Sequence, residues 1–374
     1  MPDTILIVSN VTAGLVSFRR ELIETLARDH TVYILAADNG RRDVLESLGA
    51  IIIPAELERH GTNPVKELRS AAFFKSKMRE IKPDIVLTYT IKANIYAGMA
   101  AASLGIPYVA NITGLGPAVE NGGLMQKITV PLYRYGLRKA RKVFFQNTAN
   151  RDFMLARHMV REGQYDLLPG SGVNLDKFAL QPYPSGETVD FLFISRITKA
   201  KGIDQFLDAA RVIRARHPET RFHVCGRCEQ DYEPLLHALQ EEGVILYHGS
   251  VSDVAGMHRV CACTVHPSYY PEGMSNVLLE SCACGRPIIT TDRPGCGEIV
   301  DDGINGFVVR EKDSADLVEK IETFLSLPWE KRRDMGLAGR AKVEKEFDRQ
   351  IVVQKYLDEL AAVQSGEACH AQTV

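Results

Sequence analysis

The stretch VDFLFISRITKAKG, residues 189–202, decides the fold of the second half of the chain. An apolar run opens the stretch, and Arg196, Lys199 and Lys201 follow in a short segment before an amphipathic stretch begins at Ile203. A continuous apolar run predicts a strand buried on both faces, which is typical of parallel sheets covered by helices. The stretch therefore predicts one strand–loop–helix unit of an α/β sheet.

The same alternation recurs along both halves of the chain. Strands are predicted in the first half at Ile5–Ser9, Thr31–Ala36, Ala50–Pro54, Asp84–Thr88, Pro107–Ala110 and Val143–Gln146. In the second half they are predicted at Val189–Ser195, Arg221–Cys225, Val244–His248, Cys261–His266, Pro287–Thr291 and Gly306–Val309. Helical stretches separate these runs, so we expect two doubly wound, Rossmann-like α/β domains that face each other across a cleft.

Two clusters of helix-breaking residues, 168–174 and 183–187, interrupt the alternation and mark a hinge. We expect one domain at residues 1–167 and a second, nucleotide-binding domain at residues 168–346. The amphipathic stretch at about 347–364 is predicted to pack back on the first domain, and residues 365–374 are predicted to form a flexible tail.

Composition excludes several classes of protein. The 374 residues are 45% hydrophobic and 25% charged, which is ordinary for a globular protein. A net charge of −2 gives the chain no overall attraction for nucleic acid, so no nucleic-acid partner is expected. No apolar run is long enough to span a membrane, and the N-terminus lacks the features of a secretion signal. We therefore expect a cytoplasmic protein.

The eight cysteines give little indication of a metal site. Structural zinc takes pairs of cysteines two to four residues apart, and only Cys225 and Cys228 have that spacing. The pairs Cys261/Cys263 and Cys282/Cys284 lie in apolar stretches, where a free cysteine behaves as a small hydrophobic residue. We expect reduced cysteines, no metal and no bound cofactor.

The segment PEGMSNVLLE, residues 271–280, is the strongest candidate for a binding site. It is predicted to start a helix with Ser275 or Asn276 as the N-cap, and a helix start suits a phosphate. Carboxylates would repel a phosphate, so Glu272 and Glu280 are expected to accept hydrogen bonds from sugar hydroxyls instead. The segment therefore favours a nucleotide sugar, and a solvated surface helix is the alternative. The substrate-binding set predicted at this helix start is Gly273, Met274, Ser275 and Asn276.

Two further segments support this interpretation. Arg196 and Lys201 follow the strand Val189–Ser195, at the edge of the sheet where a diphosphate would bind. The glycines of the loop 295–306 permit close approach of a ligand to the backbone, although a purely structural loop would contain the same residues.

In this order, the three segments resemble those of the retaining glycosyltransferases of family four, which have the two-domain GT-B architecture. The resemblance covers the second half of the chain. It implies that Arg196 and Lys201 bind the donor diphosphate, that Glu272 contacts the donor sugar, and that Glu280 binds the ribose hydroxyls. The residues implied in catalysis are Arg196, Lys201 and Glu272.

The first half resembles one branch of that family. The segments Thr88–Tyr96 and Asn111–Gly116 are similar to those of enzymes that add N-acetylhexosamine to polyprenyl-diphosphate-linked sugars. The resemblance implies that Gly14, Asn111 and Thr113 bind substrate. Many relatives have a Gly-Gly pair where this chain has only Gly14, and a His after the fourth strand that this chain lacks. No catalytic His is therefore assigned.

The expected activity is metal-independent transfer of a sugar, N-acetylhexosamine by preference, from a UDP-sugar to a polyprenyl-diphosphate-linked sugar in surface glycan biosynthesis. No Asp-x-Asp metal motif is present, so Arg196 and Lys201 are expected to stabilise the negative charge of the leaving group. Attack from the same face and a double displacement both stay open. The alternatives are a nucleotide-sugar epimerase, a glycosyltransferase with a soluble acceptor, and a nucleotide-binding regulatory protein without turnover.

The segment 121–151 is basic and apolar, with no acidic residue. This composition predicts peripheral contact with the anionic inner face of the cytoplasmic membrane. The alternative is a core helix with a solvated basic edge. The basic residues of the segment are Lys127, Arg134, Arg138, Lys139, Arg141, Lys142 and Arg151.

Overall fold

The computed structural model describes residues 4–55, 64–116, 119 and 122–365. The chain divides into two compact units, Met1–Ser171 with Gln350–Val374, and Gly172–Arg349. Each unit is built on one parallel sheet with helices, as the alternating pattern predicts. Beyond Ser365, the predicted flexible tail lies outside the described residues.

The first unit contains a seven-stranded parallel sheet with the order β3-β2-β1-β4-β5-β6-β7. Its strands are β1 Thr4–Val11, β2 Thr31–Ala37, β3 Ile51–Pro54, β4 Ile85–Tyr89, β5 Tyr108–Ile112, β6 Lys142–Phe145 and β7 Tyr165–Leu167. The described helices are Thr12–Phe18, Arg20–Asp29, Arg42–Ser47, Pro64–Ile81, Gly98–Leu104, Gly123–Leu137, Thr148–Ala156 and Arg349–Gln364, with a π-helical turn at Ala93–Ala97.

The central strands β1, β4 and β5 are buried on both faces, which explains their continuous apolar sequences. Alternate residues of β1 pack into different clusters: Leu6 and Val8 face one side of the sheet, and Ile5 and Ile7 face the other. The six strands predicted for this half are confirmed, with ends that differ by a few residues.

The connection between the first strand and the first helix contains no loop residue. Strand β1 runs to Val11, and a helix begins directly at Thr12. Gly14 therefore lies inside a helical turn, where no atom within 4 Å would obstruct a side chain. This helix ends at Phe18, and Arg19 separates it from the helix Arg20–Asp29.

The second unit contains a six-stranded parallel sheet with the order β10-β9-β8-β11-β12-β13. Its strands are β8 Val189–Ile194, β9 Thr220–Cys225, β10 Leu246–Gly249, β11 Cys263–His266, β12 Ile288–Thr291 and β13 Gly306–Val309. The helices are Ile203–Arg216, Glu233–Glu241, Val254–Val260, Asn276–Ala283, Ser314–Ser326 and Trp329–Glu346, with a 3₁₀ turn at Lys199–Lys201.

Aromatic residues dominate one face of the second sheet. Phe191 stacks on Phe222 at 5.1 Å between ring centroids, and Phe206 and Phe324 meet these rings edge-on. Aromatic pairs of this kind stabilise a core beyond the area that they bury. The core fixes the strand ends that carry the loops of the site.

Both sheets have a topological switch point, where neighbouring strands continue the chain in opposite directions across the sheet. It lies between β1 and β4 in the first unit and between β8 and β11 in the second. Ligands of doubly wound sheets bind beyond the carboxyl ends of the strands at such points. The loops that follow these four strands are therefore the places to look for a site.

The last helix, Arg349–Gln364, belongs to the first unit. The Tyr356 hydroxyl accepts a 2.8 Å hydrogen bond from the Asn111 side chain, and Lys355 pairs with Asp166 at 2.6 Å. The Tyr356 ring packs edge-on against Phe144. Strands β5, β6 and β7 therefore depend on a helix that arrives from the other end of the chain.

No helix in the described ranges is long and apolar enough to cross a bilayer.

Candidate functional site

The side chains of Lys201 and Glu272 form an ion pair at the switch point of the second sheet. Lys201 ends the 3₁₀ turn that follows β8, and Glu272 lies on the loop that follows β11. The side chain of Lys201 is 9% exposed and that of Glu272 is 14% exposed. The fold thus brings together the residue predicted to bind phosphate, Lys201, and the residue predicted to bind the sugar, Glu272, in one partly buried ion pair.

The ring of Tyr270 lies beside both predicted phosphate-binding cations. The Lys201 ammonium is 5.0 Å from the ring centroid, and the Arg196 guanidinium is 5.3 Å from it. An aromatic face attracts cations, so one ring stabilises two like charges near each other. Arg196 also donates to Glu229 at 2.9 Å, and Glu229 follows β9. Neither Tyr270 nor Glu229 was predicted from the sequence, although Tyr270 lies only two residues before Glu272.

Burial lowers the pKa of Lys201 to about 8. Among its neighbours, Cys296 raises this pKa, the Arg196 cation lowers it, and Glu229 raises it again. The Lys201 ammonium is therefore charged at neutral pH but loses its proton at a lower pH than an exposed lysine does. An anion bound beside Lys201 and Arg196 would favour the charged form.

Two glycines let the loops of the site approach each other closely. Gly202 has φ +79°, and a Cβ there would lie 2.1 Å from the carbonyl oxygen of Pro267. Gly295 has φ +88°, and a Cβ there would lie 2.8 Å from the Cβ of Glu272. Any larger residue would have to displace the backbone at these positions. The glycine loop 295–306 is therefore one wall of the site around Glu272.

The helix Asn276–Ala283 begins with Ser275 as its N-cap, which confirms the predicted helix start. No side chain caps its first turn, and the Ser275 N–H donates to the Gly295 carbonyl at 2.7 Å. The side-chain oxygen of Asn276 is buried without a hydrogen-bond partner in the described residues. Gly273 and Met274 are buried in the turn before the N-cap. The turn thus offers an uncapped helix end beside the ion pair.

Glu280 lies on this helix, eight residues after Glu272 in the sequence. Burial raises the pKa of its carboxyl to about 7, while Lys177 and Arg349 lower it. Glu280 is therefore poised between its neutral and ionised forms at neutral pH. Carboxyl groups whose pKa is strongly raised by burial are concentrated at functional sites.

The predicted substrate residues of the first unit lie at the carboxyl end of its sheet. Asn111 is the last residue but one of β5 and is fully buried, and its amide nitrogen donates to the Tyr356 hydroxyl. Thr113 is exposed on the following loop. Gly14 lies in the first helix, after β1. These three residues thus lie on a strand, a loop and a helix, and only Thr113 is exposed.

In the described part of the chain, no three His, Cys, Asp or Glu side chains gather in a way that could hold a metal ion. Cys225 is buried and Cys228 partly buried, and burial raises the pKa of the Cys225 thiol to about 12. A thiol with so high a pKa is a poor metal ligand.

Two family profiles match most of the chain. The family described as glycosyl transferases group 1 matches residues 181–342, which lie in the second unit. The family described as glycosyl transferase 4-like matches residues 4–147, which lie in the first.

Relatives of the chain are also named as glycosyltransferases. The chain is 26% identical over 372 residues to the N,N'-diacetylbacillosaminyl-diphospho-undecaprenol alpha-1,3-N-acetylgalactosaminyltransferase of Campylobacter jejuni, covering 93% of this chain and 96% of that protein. It is 27% identical to the capsular polysaccharide biosynthesis glycosyltransferase CapM of Staphylococcus aureus, over 53% of this chain and 56% of that one.

Solved structures share the fold. HepE from Anabaena, in complex with UDP and glucose, superposes with a TM-score of 0.80 at 19% identity, over 96% of this chain and 100% of that one. Sucrose-phosphate synthase from Thermosynechococcus elongatus superposes with a TM-score of 0.78 at 19% identity, over 98% of this chain and 100% of that one.

Proposed function

Because the chain is a glycosyltransferase of the GT-B class that resembles family four, we propose that it transfers N-acetylhexosamine from a UDP-sugar to a polyprenyl-diphosphate-linked sugar with retention. The observation that carries this proposal is the ion pair between Lys201 and Glu272. A UDP-sugar donor also agrees with the UDP-bound HepE structure, and the acceptor agrees with the lipid-linked substrate named for the Campylobacter jejuni relative.

The pair matches the chemistry of a nucleotide sugar. In such a donor, one glycosidic oxygen separates the sugar from the β-phosphate. Groups that bind the sugar and the phosphate must therefore be close neighbours. Glu272, as a hydrogen-bond acceptor, suits sugar hydroxyls, and Lys201 suits the phosphate. Donor binding would replace their mutual contact with one contact each to the two sides of the bond that breaks.

Departure of UDP is the difficult step, because negative charge develops on the β-phosphate as the bond to the sugar breaks. Lys201 and Arg196 place two cations beside Tyr270, and the helix Asn276–Ala283 adds its uncapped N-terminus. Donors fixed in place before the reaction stabilise such charge without reorganisation. The acceptor hydroxyl then bonds to the anomeric carbon and passes its proton to the departing phosphate oxygen. A double displacement is the alternative route to the same anomer.

Glu280 is proposed to bind the ribose of UDP. Its carboxyl lies on the helix that follows the phosphate-binding turn, at a spacing that the family resemblance assigns to ribose. The raised pKa, about 7, makes an accepted hydrogen bond from ribose especially useful, because it stabilises the ionised form in place of water.

The acceptor suggests a membrane location, and the helix Gly123–Leu137 offers a surface for it. Four large apolar side chains of this helix are exposed: Leu124, Met125, Ile128 and Tyr135. Exposed cations lie on and directly after the same helix, at Lys127, Arg134, Arg138 and Lys139. Apolar side chains that accompany cations suit an anionic bilayer surface. We propose that this surface docks on the inner face of the cytoplasmic membrane.

The structure changes which cations are expected to contribute. Arg141 and Lys142 lie 3.4 and 3.3 Å from the Glu359 carboxylate on the last helix, and their side chains are mostly buried. This one carboxylate offsets half of their combined charge within the first unit, and both side chains are held against the last helix. The earlier expectation that they take part in membrane contact is replaced by the four exposed cations.

The full chain, incubated with a panel of UDP-sugars and a polyprenyl-diphosphate-linked sugar, tests the proposal. We expect acceptor-dependent release of UDP from UDP-N-acetylhexosamine, a product one N-acetylhexosamine heavier, and the donor's anomeric configuration in its NMR spectrum. Activity should persist in a chelator. The control is Lys199→Met, since Lys199 is exposed and lies in the same turn as Lys201. Transfer by Lys199→Met but not by Lys201→Met would tie turnover to the ion pair.

The same experiment separates the alternatives. Conversion of the donor to its epimer without acceptor would replace the proposal with an epimerase. Transfer to a soluble glycoside but not to the lipid-linked sugar would retain the donor assignment and overturn the acceptor. Tight UDP binding with no turnover on any acceptor would favour a regulatory protein.

A further inference from the structure

A buried cation lies in the first unit without a carboxylate partner. Arg19 is 3% exposed and separates the first two helices. Its Nη1 donates to the Phe18 carbonyl at 2.7 Å, and its guanidinium lies 5.0 Å from the ring centroid of Tyr89. Its Nε is buried with no hydrogen-bond partner, and no ion pair of Arg19 exists in the described ranges.

Burying a guanidinium away from water is costly unless an anion or several acceptors compensate for it. The Tyr89 ring and one carbonyl oxygen supply only part of that compensation. An Nε–H and a guanidinium edge are a forked donor that fits two oxygens of a phosphate or carboxylate. The chemistry of Arg19 therefore calls for an anion.

The location of Arg19 is the switch point of the first sheet. Tyr89 is the last residue of β4, and Arg19 follows the helix that continues directly from β1. The carboxyl end of β1 and the residue after β4 are tied together, since the Thr90 hydroxyl donates to the Asn10 side-chain oxygen at 2.8 Å. The expected ligand position of a doubly wound sheet thus coincides with a buried cation that has no carboxylate partner in the described residues.

Backbone strain marks the same place. Thr90 has φ +80°, which is a strained conformation for a β-branched residue. The π-helical turn Ala93–Ala97 follows three residues later. Both features are concentrated at functional sites, where the surrounding structure maintains them. They are independent of the charge of Arg19.

We propose that Arg19 binds a phosphate of the lipid-linked acceptor at the switch point between β1 and β4. The proposal rests on the proposed function, which assigns the donor diphosphate to the cations of the second unit. The diphosphate of the acceptor is then the anion left for the first unit. Binding there would fix the acceptor by its diphosphate rather than by its sugar alone.

The test compares two acceptors that carry the same sugar, a polyprenyl diphosphate and an uncharged octyl glycoside. Arg19→Lys retains the charge without the fork, and Arg19→Gln removes both. We expect KM for the diphosphate acceptor to rise by about tenfold in Arg19→Lys and by more in Arg19→Gln, the loss expected for a charged hydrogen bond. The KM for the octyl glycoside should stay within about twofold. Arg20→Gln, at the exposed neighbour, is the matched control.

Equal losses on both acceptors would overturn the proposal and make Arg19 a packing residue for Tyr89. Hydrogen exchange on the wild-type chain gives a second measurement that needs no variant. Farnesyl diphosphate should protect the segments 9–20 and 89–96, and farnesol should not. No difference between the two ligands would also overturn the proposal. If the wild type transfers no sugar to lipid but farnesyl diphosphate still protects these segments, the proposed function fails while the anion site stands.

Discussion

Arg286 donates from Nη2 to the carbonyl oxygen of Pro182 at 2.7 Å, across 104 residues of chain. The side chain is fully buried, and carbonyl oxygens surround it where a carboxylate would be expected. This arrangement holds the segment before β8 against the helices of the second unit. The remaining acceptors of its hydrogen bonds are the carbonyl oxygens of Gln181, His258, Arg259 and Gly285.

Replacing Arg286 with Met should destabilise the second unit by on the order of 3 kcal/mol, because buried carbonyl groups lose their donors. A unit of this size should then unfold at a Tm lower by roughly 6–12 °C. Differential scanning calorimetry measures the shift, and Arg259→Gln is the control, since the Arg259 side chain is exposed and its carbonyl is retained. An unchanged Tm in the Arg286 variant would contradict the role assigned to these hydrogen bonds.

Calorimetry with UDP should distinguish the proposed roles of the two carboxylates, Glu272 and Glu280. Glu280→Gln should weaken UDP binding, because UDP contains the ribose that Glu280 is proposed to bind. Glu272→Gln should leave UDP affinity nearly unchanged and reduce turnover, because its proposed partner is the transferred sugar. Similar losses of UDP affinity in both variants would refute this division.

UDP affinity should depend on pH through two groups with opposite signs. Glu280 accepts hydrogen bonds when ionised, so affinity should rise as pH increases through about 7. Lys201 attracts phosphate when protonated, so affinity should fall as pH increases through about 8. Calorimetry from pH 6 to 9 should show a maximum of UDP affinity near the middle of this range, after correction for the titration of the UDP phosphate. Lys201→Arg should remove the fall, and Glu280→Gln should remove the rise; a fall that persists in Lys201→Arg would assign it to another group.

The free energy of unfolding of the protein without UDP should also depend on the ionisation of Glu280. Because the folded-state pKa of Glu280 is raised, the folded state holds this proton more tightly than the unfolded state does. Stability is therefore lost as pH rises from the ordinary carboxyl value through about 7. Glu280→Gln should become more stable than wild type over this window, by roughly 1–3 kcal/mol above pH 7. Urea unfolding at several pH values tests this, and a pH-independent difference would contradict it.

Replacing Lys127, Arg134, Arg138 and Lys139 with Gln should release the protein from anionic vesicles, since each cation near such a surface contributes about 1 kcal/mol. The matched control replaces Arg20, Arg28, Arg41 and Arg42, which are exposed cations of the same unit. Co-sedimentation should fall in the first set and persist in the control, and wild-type binding should weaken as salt rises. Equal loss in both sets would indicate a general charge effect without a docking surface.

The strands were predictable from sequence because burial on both faces leaves a continuous apolar signature, as in β4 and β8. Strand β7, Tyr165–Leu167, was not predicted. It is a partly buried edge strand of three residues, and its sequence carries no such signature. The order of the strands within each sheet could not be predicted from apolar runs, because it depends on which strands pair.

The location of the candidate donor site was predictable as far as residue types and strand ends determine it. Arg196, Lys201 and Glu272 were assigned from local sequence, and the parallel sheet brings β8 and β11 together. The ring of Tyr270 and the Glu229 contact were missed, because they depend on distances between separate loops. For the same reason, the sequence did not reveal that Arg141 and Lys142 both pair with Glu359.

The return of the last helix to the first unit has a consequence for biosynthesis. The ribosome synthesises residues 172–349 before it completes the helix Arg349–Gln364. The sequence of the second unit is therefore complete before that of the first unit. Until the last helix emerges, Asn111 and Asp166 lack their partners Tyr356 and Lys355. The nascent first unit is therefore left with an open, partly apolar face, and we expect it to reach its final stability only after translation ends. A stop codon at Gln350 would leave the second unit whole and the first unit unfinished.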